Sequence, residues 1–156
     1  MGNIKIINAN IEHSKIIWNW RNDPLTRQMF DSDIFISFND HDEWFKKVLL
    51  DINRIIYIGL YQDIPFGMIR FDKLLGKKEI YSISINICPT KRNLGLGKFL
   101  LKNSILKFYE KHEDCEKVVA DVKVKNIASC KLFESCGFSL SNNNYEKKIY
   151  EFYRII

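Results

Sequence analysis

"CPTKRNLGLGKFLLKNSIL", residues 88–106, decides how this chain folds. An alternating apolar run ends at Cys88-Pro89, a basic turn follows, and an apolar, helix-like run begins. Two of the chain's seven glycines, Gly95 and Gly97, fall at that junction, just after Lys91 and Arg92. Glycine weakens a helix, so a helix start ordinarily uses a polar cap and better helix formers. An anion would explain the choice. The first amides of a helix are unpaired, the dipole favours negative charge, and a missing Cβ lets a phosphate reach the backbone. Arg92 and Lys98 add charge suited to a diphosphate. The plainer alternative is a glycine-relieved turn with solvated lysines. Two other phosphate loops fit worse. A Walker loop needs Ser or Thr after Gly-Lys, and Gly97-Lys98 is followed by Phe99. The dinucleotide fingerprint needs three glycines near a first strand.

Outward from the turn, the pattern predicts alternating strands and helices. Before it, "EIYSISINIC" (79–88) alternates Tyr81, Ile83, Ile85 and Ile87 with Ser82, Ser84 and Asn86, a strand pattern. "RIIYIGLY" and "FGMIRFD", separated by "QDIP", predict a hairpin. After the turn come a helix over 95–112, a strand over 117–124 and a helix over 126–137 closed by Gly137. A final strand, "EKKIYEFYRI", follows the polar turn "SNNN". At the front, "IKIINAN" (4–10) predicts a strand. "SKIIWNWRND" predicts a short helix capped by Ser14 and ended by Asp23-Pro24. A helix over 39–51 with Asn39 as cap comes next. The expected class is α/β, a mixed sheet with helices on both faces, and 79–124 is a β-helix-β crossover.

With 156 residues, 46% hydrophobic and 28% charged, the composition is that of one globular domain. No apolar stretch approaches the roughly 20 residues needed to cross a bilayer. The start lacks the apolar core of a secretory signal, so a cytoplasmic protein with no membrane partner is expected. Cys88, Cys115, Cys130 and Cys136 form no Cys-x-x-Cys pair and no metal-like grouping with the three histidines, so reduced thiols and no metal are expected. The net charge of +5 favours an anionic ligand. The lysines are scattered, which argues against a nucleic-acid partner.

"RNLGLG" (92–97) after an apolar strand resembles the Arg/Gln-x-x-Gly-x-Gly/Ala acetyl-CoA motif of the GNAT superfamily of N-acetyltransferases. "VKVKNIASCKLFESCGF" (122–138) resembles that superfamily's second signature, with Asn126, Ser129, Leu132-Phe133 and Gly137-Phe138 at family-like spacing. The resemblance covers essentially the whole chain and implies the GNAT acyl-CoA N-acyltransferase fold, with a mostly antiparallel central sheet. It implies bound acetyl-CoA, its diphosphate on the amides of Arg92, Asn93, Leu94, Gly95, Leu96, Gly97 and Lys98. The pantetheine would run beside Asn86, Ile87 and Cys88. Asn126 would hydrogen-bond that arm, with Ser129, Lys131 and Phe133 close by. Read alone, Asn126 is equally a helix cap.

Acetyl transfer to an amine needs a neutral amine, a polarised thioester carbonyl and a proton for the departing thiolate. Many GNAT relatives place a carboxylate on the strand before the glycine turn and a tyrosine on the later helix. Here the strand position is Ser82, with Glu79 three residues earlier, and the helix position is Phe133. Ser82 can hold a water that relays a proton. Glu79 is a base, or simply the charged mouth of a strand. Tyr145, Tyr150, Tyr153 or solvent would supply the acid. Backbone N–H groups near Ile87 are candidates for the oxygen that gains charge.

The first 50 residues are the expected acceptor side. Trp20-Arg21-Asn22 followed by His41-Asp42-Glu43-Trp44-Phe45 resembles the GNAT branch that acetylates amino groups on nucleotide-linked sugars, such as the 4-amino-sugar enzymes of pseudaminic acid synthesis. That resemblance implies Arg21 and Arg27 on a diphosphate, Trp20, Phe30 or Trp44 stacked on a ring, and His41 on hydroxyls. Equally, tryptophans at helical spacing build a core and His41 is solvated. The alternatives are a ribosomal-protein N-terminal acetyltransferase, a polyamine acetyltransferase, which needs an acidic pocket, and a non-catalytic acetyl-CoA-binding regulator. A monomer or a homodimer is expected, with the C-terminal strand as a possible pairing edge.

Overall fold

The computed structural model describes residues 3–30, 32–76, 79–144, 146 and 148–156. β1 (Ile4–Asn8) enters a 3-10 turn (Ile11–His13), then α1 (Ser14–Arg21), α2 (Pro24–Met29) and α3 (Phe38–Leu50). β2 (Arg54–Tyr61), β3 (Ile64–Lys73) and β4 (Ile80–Ile87) follow, then α4 (Leu96–Tyr109), β5 (Lys117–Lys123), α5 (Ile127–Ser135), β6 (Ser139–Asn144) and β7 (Ile149–Ile155). The seven strands form one sheet in the order β1-β2-β3-β4-β5-β7-β6. β4 and β5 are parallel, joined by the α4 crossover, and the other pairs are antiparallel.

Strand alternation gives the sheet two faces. On one, Ile56, Ile58 and Met68 pack under Ile17 and Trp20 of α1 and Phe45 and Val48 of α3. On the other, Tyr57, Ile69, Phe71, Val118, Ala120 and Phe152 pack with Leu100, Leu101, Ile105 and Phe108 of α4 and Phe133 of α5. Phe108 stacks between Phe71, at 4.3 Å, and His112, at 4.1 Å between ring centroids. The hairpin turns through Gln62 and Asp63, whose φ values of 50° and 63° give the primed turn that matches strand twist.

Four local expectations need correction. Ser14 lies inside α1 and donates to Asp42 at 2.7 Å, while Asn10 caps the preceding turn. Asp23-Pro24 does not merely end a helix. It starts α2, with Asp23 as cap and proline at the first position, where its missing N–H costs nothing. Ser37, not Asn39, caps α3. The polar stretch "SNNN" pairs with β7 as part of β6.

Candidate active site

The site begins where the sheet opens. β4 and β5 pair at only three positions, Ile80 with Lys117, Tyr81 with Val118 and Ser82 with Val119. Beyond these, Ile83–Ile87 and Ala120–Lys123 diverge, and a cleft of about 1250 Å³ fills the gap. Ser82, Asn86 and Ile87 line it from β4, Asn126, Ser129 and Phe133 from the α5 side, and Asn93, Gly95, Gly97 and Lys98 from the turn.

The turn is built to leave its amides open. Asp23, Ser37 and Asn126 cap α2, α3 and α5 with side chains, but Gly95 caps α4 and offers none. Gly95 sits at φ 76°, the left-handed region that glycine enters without penalty. Among the described residues, no backbone N–H from Asn93 to Lys98 has an acceptor. Lys91, Lys98 and Lys125 line the same cleft. A Cβ on Gly97 would come no nearer than 3.5 Å to Leu132 Cδ2 and 3.6 Å to Ile87 Cγ1, ordinary contact distances, so the fold itself does not demand a glycine there. Open amides, a positive helix end and an unexplained glycine fit an anionic, diphosphate-sized group.

The end of β4 offers a further donor. Cys88 N–H donates to Phe66 O at 2.8 Å, towards β3. Alternation turns the Ile87 N–H to the opposite edge, where β5 has separated. That donor suits a carbonyl oxygen gaining negative charge.

The other expected residues divide. Cys88 and Leu94 flank the cleft without lining it, Lys131 is exposed outside it, and the Leu96 side chain is buried in the core, leaving only its amide. Arg92 lines the cleft, yet its guanidinium bonds Asp23 at 3.1 Å and Thr26 at 2.6 Å rather than facing the amides. Glu79 lies outside, beside Lys73 at 3.5 Å, because it precedes the paired rather than the splayed end of β4. Tyr150 and Tyr153 do not line the cleft, and Tyr145 lies outside the described residues.

On the acceptor side, Phe30 alone of six expected residues lines the cleft. Trp20 and His41 are 4% and 3% exposed, which removes both from ligand contact. Their helices pack on the sheet, and burying large rings there outweighs any benefit of display. Burial also holds the His41 pKa below imidazole's ordinary value, against the opposing pull of Ser14 and Asp42. Arg21 stacks over Phe30 at 3.9 Å, and burial lowers its pKa as well. Arg27 pairs with Asp33 at 3.7 Å, and Trp44 faces Arg70.

The residues that do line this half were not singled out: Leu25, Thr26 and Met29 on α2, Arg70, and the acids Asp121 and Glu151. Asp121 and Glu151 are register partners on β5 and β7, so both point to one face, which alternation makes the face of Ser82. Glu151 accepts from Ser141 Oγ at 2.7 Å. Arg70 is held by Asp72 at 2.8 Å, and Lys123 donates to the carbonyls of Gln28 and Phe30. The signal available in sequence was a single acid in each of the two strands, Asp121 in "KVVADVK" and Glu151 in "IYEFYRI".

The acetyltransferase (GNAT) family model matches residues 15–138. The chain belongs to the GNAT acetyltransferase family. This acetyltransferase takes its acetyl group from acetyl-CoA. A domain from Methanocaldococcus jannaschii is similar over 100% of both chains at 21% identity, with a TM-score of 0.84. Spermidine N-acetyltransferase from Vibrio cholerae, in complex with CoA and spermine, is similar at 17% identity over 97% of this chain and 95% of its own, with a TM-score of 0.87. A ribosomal L7/L12 α-N-protein acetyltransferase is similar at 15% identity over 100% and 92%, with a TM-score of 0.84. A search of curated proteins finds no match. At these identities the structural likeness speaks for the fold. Among the described residues, no helix of the acetyltransferase is long and apolar enough to cross a membrane.

Proposed function

We propose that the acetyltransferase moves the acetyl group of acetyl-CoA to a primary amine of a small, cationic molecule of the polyamine class. One observation carries this. A single cleft joins the unpartnered amides of the glycine turn to a floor holding Asp121 and Glu151. Acetyl-CoA supplies the activated acyl group. The amides of residues 93–98 and Lys98 would hold its diphosphate, and Asn86, Asn126 and Ser129 would lie along its arm.

The chain's own groups then serve the amine. Asp121 and Glu151 favour an ammonium electrostatically, and their face is shared with Ser82 and Ser84. An alkylammonium has a pKa near 10, so one of these carboxylates, directly or through a water on Ser82, takes its proton before attack. The Ile87 N–H stabilises charge on the carbonyl oxygen. Of the cations lining the cleft, Arg70 Nε pairs with Asp72, and Lys123 donates to the carbonyls of Gln28 and Phe30. Asp121 and Glu151 supply the acids that a polyamine needs in the acceptor half of the cleft.

The second reading is the amino group of a UDP-linked amino sugar, favoured by Phe30, an aromatic of the first 50 residues that lines the acceptor half. Its diphosphate would have to recruit Arg21 and Arg27 from their present partners. A protein N-terminus and catalytic silence complete the set, and the cytoplasm, where acetyl-CoA is available, is the proposed location.

The test follows free thiol release from acetyl-CoA with spermidine, a UDP-4-amino-6-deoxy sugar and an N-terminal peptide. Spermidine turnover that falls at least tenfold in kcat/KM in Asp121→Asn and Glu151→Gln is expected. Turnover of the sugar alone selects the second reading. Silence with every amine, while calorimetry still shows acetyl-CoA bound, leaves a non-catalytic binding protein.

A further inference from the structure

Arg92 opens the glycine motif, but the geometry spends it elsewhere. Nη1 and Nη2 each donate to Asp23 Oδ2 at 3.1 Å, Nη2 donates to Thr26 Oγ1 at 2.6 Å, and Nε donates to the Ile87 carbonyl at 3.3 Å. All three guanidinium nitrogens are therefore used, and the planar fork fixes their directions. Asp23 is the cap of α2, and the same Oδ2 takes the Thr26 N–H at 3.0 Å and its hydroxyl at 3.1 Å. Burial works to raise the Asp23 pKa, but the bonds from Thr26 and Arg92 outweigh it and hold it below the ordinary value.

α2 is six residues long, too short to hold its shape by its own hydrogen bonds. It nevertheless supplies the cleft wall through Leu25, Thr26 and Met29, with Phe30 directly after it. Its two ends are held from the two sides of the sheet opening. Arg92, just past β4, grips the first turn, and Lys123, at the end of β5, takes the last carbonyls.

We infer that Arg92 is a positioning residue, which fixes α2 as the acceptor wall and leaves the diphosphate to the turn's amides. This rests on the proposed function for what the wall contacts, but the clasp itself is read without turnover. The turn thereby ties the donor half of the cleft to the acceptor half through one side chain.

The test uses the full chain and the variants Arg92→Gln, Asp23→Asn, their double and Arg92→Lys. Asparagine caps a helix as well as aspartate does, so Asp23→Asn removes the clasp's charge without removing the cap. Amide hydrogen exchange over residues 24–30 should quicken about tenfold in each single variant and no further in the double, the mark of one interaction counted once. Acetyl-CoA affinity by calorimetry should stay within about threefold of the parent's. With the amine that the panel identifies, KM should rise about tenfold and kcat by no more than a small factor, and Arg92→Lys should recover part of the KM.

A tenfold or greater loss of acetyl-CoA affinity in Arg92→Gln but not in Asp23→Asn would return Arg92 to the diphosphate and end the inference. So would unchanged exchange in α2. A parent that binds no acetyl-CoA overturns the proposed function instead, while exchange in α2 still judges the clasp.

Discussion

Gly95 and Gly97 stand two residues apart in one motif, yet the structure assigns them opposite costs. Gly95 has φ 76° with open space where a Cβ would go, so alanine there is opposed by the backbone and not by a clash. The left-handed conformation costs an L-residue about 1–2 kcal/mol, which is the destabilisation expected for Gly95→Ala. Gly97 lies in the first turn of α4, and a Cβ would meet Leu132 and Ile87 at 3.5 and 3.6 Å, ordinary contact distances. Alanine is the better helix former by up to about 1 kcal/mol, so Gly97→Ala should stabilise the free protein by about 0.5–1 kcal/mol. The same methyl occupies the approach to the open amides. Losing one charge-assisted hydrogen bond there costs about 1.5–3 kcal/mol. That corresponds to roughly 10- to 150-fold weaker acetyl-CoA binding. Urea denaturation reads the first quantity and titration calorimetry the second. Gly97→Ala that binds acetyl-CoA like the parent, or that unfolds more easily by 1 kcal/mol or so, would refute the claim that this glycine serves a ligand and not the fold.

Two further outcomes follow from groups outside the cleft's chemistry. His41 is buried neutral with its pKa lowered, so the unfolded chain takes up a proton first as pH falls below about 6.5. Its contribution to stability is therefore complete above that pH and lost below it, by at most about 1.4 kcal/mol per pH unit. His41→Met should flatten the fall in Tm between pH 7 and 5, and an equally steep fall would assign the effect to other groups. Lys123→Met should remove the donor to the Gln28 and Phe30 carbonyls, at a cost of about 0.5–1.5 kcal/mol in a thermal melt. An unchanged melt would mean that water replaces the ammonium without loss.

Where neighbours in sequence are also neighbours in space, the fold was legible. The β2–β3 hairpin, the alternation of β4 and the apolar face of α4 are written within single segments. Elements that depend on a distant partner were not. Asparagine-rich "SNNN" has poor strand propensity and forms β6 because β7 offers it a ladder. α2 was hidden by a signal with two meanings, since Asp-Pro both stops one helix and caps the next.

The site divides along the same line, and the division explains which residues changed role. The role proposed for the turn rests on its main chain, where glycine spacing and position after a strand are sufficient information, and that geometry is present in the structure. Side-chain functions depend on which of several partners is nearest. Trp20, Arg21 and His41 are residue types that bind sugars and phosphates, but they are equally the types that fill a helix-sheet boundary. Burial of α1 and α3 against Ile56, Ile58 and Met68 settles the choice for Trp20 and His41. Asp121 and Glu151 are thirty positions apart and meet only because β5 and β7 run antiparallel. Arg92 combines both cases. Its place in the motif was legible, but the direction of its guanidinium depends on Asp23, 69 residues earlier. A basic residue in a phosphate-binding motif is therefore weak evidence of a phosphate contact until its partners are known, whereas an amide left without any partner is strong evidence.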